Sequence, residues 1–435
     1  MQVSVESVGK LGRRVIVRLP ADQLDGAVNS RIQELTRTAR IKGFRPGKVP
    51  LKVIEQRFGA QVRNDALSDM ISKSFQQAVE QEQLRPAVQP SISTTGRPDN
   101  GEIEYTATFD VLPEVGAIDV ASLEIVRPVA EVTDADIDQM IETLRIQRRS
   151  WSPVERAAVE GDMVLFEYSV EAGAVRHPES GRDRVGTIVG SAAMSREIED
   201  KLIGLAADAE VEFDAALPAD FRVAEVAGKQ AHINVHVMRV QEPKLPDVDD
   251  AFIASFGVSA GGLPKFREDV RSNLERELRS VLMGRLKAST IEKLVAAFPD
   301  MEVPPTMVAA EAQQLAQQAA NHANADPQSA GAPAATPDAY MPAARRRALA
   351  GILLGELARQ NDVRLDSRRV SEALATIAST YEEPEKVVEL YTRDPQLMNS
   401  LQSRVVEDQV VEWIADHAKV NEQVLTFNEL MRPGS

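Results

Sequence analysis

Between positions 37 and 63 stand eight basic residues, Arg37, Arg40, Lys42, Arg45, Lys48, Lys52, Arg57 and Arg63, against a single acid, Glu55. At the centre of this run lies the stretch 41–50, IKGFRPGKVP, which sets Phe44 among three cations on a short Gly/Pro segment. The whole chain has a net charge of −16, and its overall field repels nucleic acid. A local cation cluster on such a chain points to a specific polyanion contact. The stretch does not fit a nucleotide P-loop, which needs four residues between its glycines and then Lys and a hydroxyl residue. Here three residues separate Gly43 from Gly47, and Val49 follows Lys48. The plain alternative is a Pro-Gly turn between two helices, with Pro46 presetting φ and Gly47 tolerating positive φ. That turn leaves Phe44 unexplained. An apolar wedge displayed between Arg45 and Lys48 suits docking onto RNA phosphates and a protein edge together.

Other spacings that could carry chemistry resolve to structure. Residues 134–139, DADIDQ, begin like a calcium loop, but Gln139 replaces the glycine and Arg145 the final carboxylate. Thr133 and Asp136 instead have the spacing of a helix capping box. The five histidines have no metal-binding spacing, and His232 and His236 read as strand residues, so no metal site is expected. No nucleophile-elbow, zincin or dinucleotide fingerprint occurs. Cysteine is absent, which excludes disulfide and thiolate chemistry.

The elements that must position the basic loop follow from periodicity. Val3 to Ser7 and Val15 to Leu19 alternate as strands, 21–40 has helical spacing, and 51–84 reads as a second helix. Asn100-Gly101 is a hairpin signal, after which Ile103, Tyr105, Ala107, Phe109 and Val111 fall on one strand face. Residues 151–240 alternate over short strands, such as MVLFEYSV and AHINVHVMRV, around one short helix at 198–202. Beyond that the chain is helical: Phe266, Val270, Leu274, Leu278, Leu282 and Leu286 recur every four residues. Helices are expected over 343–360, 366–381, 384–391 and 395–419. The Pro/Ala/Asn stretch 321–342 reads as a flexible loop. Leu/Val stripes are ordinarily core, yet long helices arranged around such a loop are expected to leave apolar patches that bind unfolded chains weakly. With 43% hydrophobic, 27% charged and 4% aromatic residues, the chain reads as soluble and multidomain. The alternating N-terminus and the lack of any apolar run long enough to span a bilayer place it in the cytoplasm by expectation.

The loop Gly43, Phe44, Arg45, Pro46, Gly47, Lys48, Val49, Pro50 resembles the ribosome-docking signature of trigger factor, a bacterial family of ribosome-associated chaperones. The resemblance continues in VTDADIDQMIETLR, in FREDVRSNLERELRSVLMGRLKASTIEKLV, and in LLGELARQNDVRLD, YEEPEKVVELY and TFNELM, in the family's order. It implies an α+β multidomain chain. An α+β ribosome-binding domain would occupy 1–113, and a linker strand and helix at 114–150 would pack with the C-terminal domain. An FKBP-like β-rich peptidyl-prolyl isomerase domain would occupy 151–243, and a discontinuous all-α chaperone domain with two arms would occupy 244–435. It also implies docking at the exit tunnel of the large ribosomal subunit, on protein and RNA, through Gly43 to Lys48. The partners are nascent and unfolded polypeptides, with no DNA, membrane or cofactor; a homodimer off the ribosome is compatible with it. Relatives often carry a further cation where Pro46 stands.

The middle domain departs from the family pattern. Isomerisation needs no nucleophile, only a dry apolar cradle that lowers a barrier of roughly 18–20 kcal/mol while the imide twists. FKBP-like domains floor that cradle with Ile-x-Gly-(Trp/Phe)-Glu-x-Gly, whereas this chain has MSREIEDKLIG. Ser195 takes the Ile position, Glu197 and Lys201 the glycines, and Ile198 the aromatic, while Ile233 replaces a strand Phe. Tyr168 and Phe221 remain as walls, so the pocket residues expected are Tyr168, Phe221, Ile198 and Ile233. The expectation is an ATP-independent holding chaperone with weak or absent isomerase activity. Two alternatives stay open: a folding enzyme acting chiefly as a peptidyl-prolyl isomerase, and a plain RNA-binding factor.

Overall fold

A computed structural model describes residues 1–39, 44, 49–95, 102–173, 175–218, 221, 223, 225–325 and 336–432. The chain divides into two compact units, one of 1–127 with 285–421 and the other of 128–284 with 422–435. It is a multidomain α+β protein with a β-rich middle and a helical C-terminal region.

The N-terminal segment opens with an antiparallel hairpin, β1 (Gln2–Val8) and β2 (Gly12–Pro20). Gly12 is required there, since a Cβ would stand 2.3 Å from the Val8 carbonyl oxygen. Two helices follow, α1 (Ala21–Thr38) and α2 (Leu51–Gln81), and then β3 (Ser91–Thr95) and β4 (Glu102–Asp110). The sheet runs β1-β2-β4-β3. The alternation of β4 is realised in full: Ile103, Tyr105, Ala107, Phe109 and Val111 are all buried. Ile71, Phe75 and Ala78 of α2 pack on this face, and Phe75 meets Phe109 edge-to-face at 5.3 Å. The expected Asn100-Gly101 turn lies outside the described residues.

Strand β5 (Glu124–Val129) leads to α3 (Asp134–Gln147), whose N-terminus carries the capping box read from Thr133 and Asp136. The β-rich middle follows with β6 (Ser150–Val154), β7 (Met163–Ala172), β8 (Val175–His177), β9 (Asp183–Ile188), α4 (Arg196–Leu202), β10 (Glu210–Ala216) and β11 (Gln230–Lys244). These strands form a six-stranded sheet in which β7 lies between β11 on one side and β8 and β9 on the other. Its apolar face, including Val164, Phe166, Val170, Ile233, Val235 and Val237, packs beneath Ile198 and Leu202 of α4.

The remainder is helical: α5 (Asp250–Ala254), α6 (Gly262–Ala296), α7 (Pro305–Ala325), α8 (Met341–Gln360), α9 (Ser367–Ala378), α10 (Pro384–Arg393) and α11 (Pro395–His417). A short strand, β12 (Lys419–Val424), and α12 (Phe427–Met431) end the chain. The stripe of α6 is buried as its period requires, and it is completed from distant sequence. Ile137 and Ile141 of α3, Phe252 of α5, and Phe427 and Leu430 of α12 share a core with Phe266, Val270, Leu274 and Leu278. The flexible loop expected over 321–342 is too long. Helix α7 extends to Ala325, and a 3-10 turn, Pro337–Tyr340, runs into α8. Alanine carries the helical state through asparagines that looked like breakers, and Pro342 falls in the first turn of α8, where proline is tolerated. Tyr381, Val388 and Leu390 near and on α10 are exposed, so its apolar residues are not all spent on core.

Candidate functional site

The two expected sites fare differently. Of the loop residues Gly43, Phe44, Arg45, Pro46, Gly47 and Lys48, all but Phe44 lie outside the described residues. Phe44 is 40% exposed, a large apolar side chain left in solvent. The nearest described elements are two helices. Helix α1 ends at Thr38, and α2 starts at Leu51 after Pro50, while Val49 is buried with Ile32, Ile54 and Val62 between the helices. Arg37, Lys52 and Arg57 stand exposed on those ends, so the described flanks are cationic.

In the middle region, Tyr168 of β7, Val185 of β9, Ala193 and Met194 before α4, Ile198 of α4, and Pro218 and Phe221 after β10 line one cavity of about 270 Å³. Tyr168 is there because β7 alternates and places Val164, Phe166, Tyr168 and Val170 on the inner face, with the Phe166 and Tyr168 rings 6.1 Å apart. Three of the four expected pocket residues, Tyr168, Ile198 and Phe221, are therefore brought together. Ile233 is not on the lining. It sits on β11 opposite Phe213 and Val170, 1% exposed, inside the core of the sheet. Sequence reasoning missed Val185, Ala193, Met194 and Pro218; Met194 opens the stretch already singled out.

A group that the sequence did not flag shapes this cavity. Glu199 is fully buried, and its carboxylate accepts five hydrogen bonds. Oε1 takes the hydroxyls of Thr187 (3.0 Å) and Ser191 (3.3 Å) and the N–H of Met194 (3.2 Å). Oε2 takes the N–H groups of Gly190 and Ala192, each at 2.9 Å. Burial pushes the carboxyl up, but the backbone donors of Ala192, Met194 and Gly190 with the Thr187 hydroxyl outweigh it and hold the group below the usual range. The strap it holds is not relaxed: Ala192 has φ +57°, the left-handed region that costs an L-residue about 1–2 kcal/mol. Glu199 thus fixes the segment that supplies Ala193 and Met194 to the cavity. It falls at the Glu of the recurring FKBP-type run, the one signal that could have found it.

Among the described residues the cavity is walled by aromatic and aliphatic side chains, and the Tyr168 phenol is the one titratable group on the lining. Chemically it can seat a small apolar ring and exclude water around it. Among the described residues no His/Asp/Glu group has metal-binding geometry, and no helix is long and apolar enough to cross a membrane.

Comparison with known proteins decides the family. A family model described as bacterial trigger factor protein matches residues 1–144, and one described as its C-terminus matches 262–416. Trigger factor from Xanthomonas axonopodis pv. citri (strain 306) is 49% identical over 435 residues, covering 99% of this chain and 100% of that protein. The chain belongs to the bacterial trigger factor family. Trigger factor from Stenotrophomonas maltophilia (strain K279a) is 47% identical over 433 residues, again with 99% and 100% coverage. A solved structure of the trigger factor chaperone aligns over 96% of this chain and 99% of its own, with a TM-score of 0.38 and 17% identity. In this trigger factor family member, Phe44 is exposed between the two helix ends and Tyr168, Ile198 and Phe221 line one apolar cavity.

Proposed function

We propose that this protein is an ATP-independent holding chaperone that docks beside the nascent-chain exit of the large ribosomal subunit in the cytoplasm. Family membership over the full length is the observation that carries this reading, and it makes the chain a ribosome-associated chaperone. Docking is assigned to Gly43, Phe44, Arg45, Pro46, Gly47 and Lys48. The exposure of Phe44 between cationic helix ends supports it, because an aromatic wedge gains from a protein edge while the cations meet phosphate. Clients are nascent and unfolded polypeptides, held by weak apolar contacts that delay aggregation and released by dissociation. We assign docking to 1–113, the linker to 114–150, the isomerase-type domain to 151–243 and client holding to 244–435, with dimerisation off the ribosome.

The middle domain is proposed to seat prolyl segments but to isomerise them slowly. Tyr168, Ile198 and Phe221 make an apolar cradle, yet the floor is aliphatic where the FKBP-type run has an aromatic. The test of the main reading is ribosome co-sedimentation at physiological salt, with the wild type beside Phe44→Ala/Arg45→Ala/Lys48→Ala. Wild type in the pellet with the triple variant in the supernatant is the expected result. Equal pelleting of both would sink the docking assignment. A refolding assay limited by X-Pro steps of about 10–100 s reads the isomerase separately.

A further inference from the structure

We propose that the open edge of the N-terminal sheet binds an extended, uncharged stretch of client polypeptide, which adds as a fifth strand beside β3. The inference rests on the client-binding reading above and names a site within it. Among the described residues nothing pairs with the outer side of β3, which closes the sheet order β1-β2-β4-β3. Every second residue of such a strand turns its N–H and C=O outward, a template for another strand. Natural sheets blunt such edges with charge, proline or a bulge. Strand β3 reads SISTT, with no charge and no proline, in unbroken register with β4 from Ser91↔Thr108 to Thr95↔Glu104.

Beside this edge the cover over the sheet stops short. Ile92 lies opposite Ala107 on the helix-bearing face; Ala107 is fully buried, whereas Ile92 is 42% exposed. The gap is a groove of about 600 Å³ between β3 and the flank of α2, to which Ile71, Phe75 and Val79 contribute apolar surface. Phe75 is anchored on one side by Phe109, so the groove wall is preformed. Ser68, Ser72, Gln76, Gln89 and Pro90 complete the lining among the described residues, and none of these is charged on a chain where 27% are.

These features select one occupant. The hydrogen-bonding edge demands extended backbone. The groove takes the side chains at every second position, about three over the roughly 17 Å of a five-residue strand. Among the described lining residues no cation offers phosphate a contact, and neutral amides and hydroxyls suit an uncharged peptide. Pairing through the backbone is indifferent to exact sequence, as a holding chaperone requires.

The probe is a fluorescein-labelled peptide alternating Val and Thr, beside one of the same length with a central proline that breaks pairing. Each is titrated into the full chain by anisotropy, with amide exchange read over 91–95. The expected result is protection of 91–95 by the alternating peptide alone, and at least tenfold weaker protection-linked binding in Ile92→Lys. Circular dichroism of this surface variant should match the wild type. Unchanged exchange at 91–95 with bound peptide, or equal binding of Ile92→Lys, overturns the proposal. Concentration-dependent self-association abolished by Ile92→Lys, without peptide protection, also overturns it and makes the edge a copy-to-copy interface. Failure of the chaperone reading shows separately, as wild type that does not suppress aggregation of an unfolded client.

Discussion

Replacing Glu199 by glutamine keeps the shape of the side chain and removes one acceptor oxygen from a buried site with five donors. The amide nitrogen must occupy one of the two oxygen positions. At the Oε2 position it would face the N–H groups of Gly190 and Ala192, neither of which can accept. At the Oε1 position it would face the Thr187 and Ser191 hydroxyls, which can rotate to accept, and the N–H of Met194, which cannot. The second arrangement is cheaper and orphans a single backbone donor, at about 1–3 kcal/mol. The remaining bonds lose their charge assistance, partly offset by relief from burying a charge, so the total comes to about 2–3 kcal/mol. The two tryptophans fall one in each compact unit, Trp151 on β6 and Trp413 on α11. In a Trp413→Phe background, Trp151 emission therefore follows the unit that contains Glu199. With a urea slope of roughly 1–1.5 kcal/mol per M, the midpoint should fall by about 2 M at pH 7.

The pH dependence supplies an internal check. The folded carboxyl is depressed, so its stabilisation is present above the unfolded value and is lost as pH falls through the folded one. Acid does to the wild type what the substitution does at neutral pH. The gap between wild type and Glu199→Gln should be widest near neutrality and should narrow below about pH 4.5. Equal midpoints at pH 7, or a gap that widens in acid, would refute the claim that five donors fix this strap.

Ala192→Gly should stabilise the same unit by about 0.5–1 kcal/mol, read as a higher urea midpoint, because glycine adopts the φ of +57° without strain. Ile233→Val should cost about 1 kcal/mol of stability and leave prolyl-peptide affinity unchanged, since Ile233 packs in the core and not on the cavity; Tyr168→Ala should lower that affinity, measured by titration calorimetry. In the other unit, the Glu356 carboxyl is held down to about 2 by Arg359, with Arg85 and Gln360 assisting against burial. Its contribution, roughly 2–3 kcal/mol once the half-exposed arginines are discounted, is present above about pH 4.5 and lost as pH falls toward 2. Urea unfolding followed through Trp413 should show that loss in the wild type and not in Glu356→Gln. Thr133→Ala should cost about 1 kcal/mol by removing the α3 capping box, read as a lower urea midpoint for Trp151.

Local pattern carried much of this molecule. The twofold alternation of β4, the fourfold stripe of α6 and the cap at Thr133 each lie within one window of sequence, and each appears where its period put it. Tyr168, Ile198 and Phe221, which line one cavity, were reached only through the resemblance to FKBP-like domains, and no strand or turn pattern singles them out. The overestimated loop at 321–342 shows where composition misleads, since alanine carried α7 through residues that looked like breakers. What no window contains is the pairing of distant segments. Lys419 donates to the Leu123 carbonyl and Leu425 to that of Val129, joining β12 to β5 across some three hundred residues. That pairing has no signal of its own, because KVNEQV is polar and short. Glu199 was hidden for a different reason: its donors all lie within twelve residues, yet it reads as one more surface acid of a charged helix until the segment before α4 turns three backbone N–H groups toward it. Sequence by itself determined the family, the elements and the faces that seek burial, because those depend on neighbours within a few turns. Only the tertiary structure decided that Ile92 and the cavity beside Met194 stay open, because exposure there depends on what distant chain arrives to cover them.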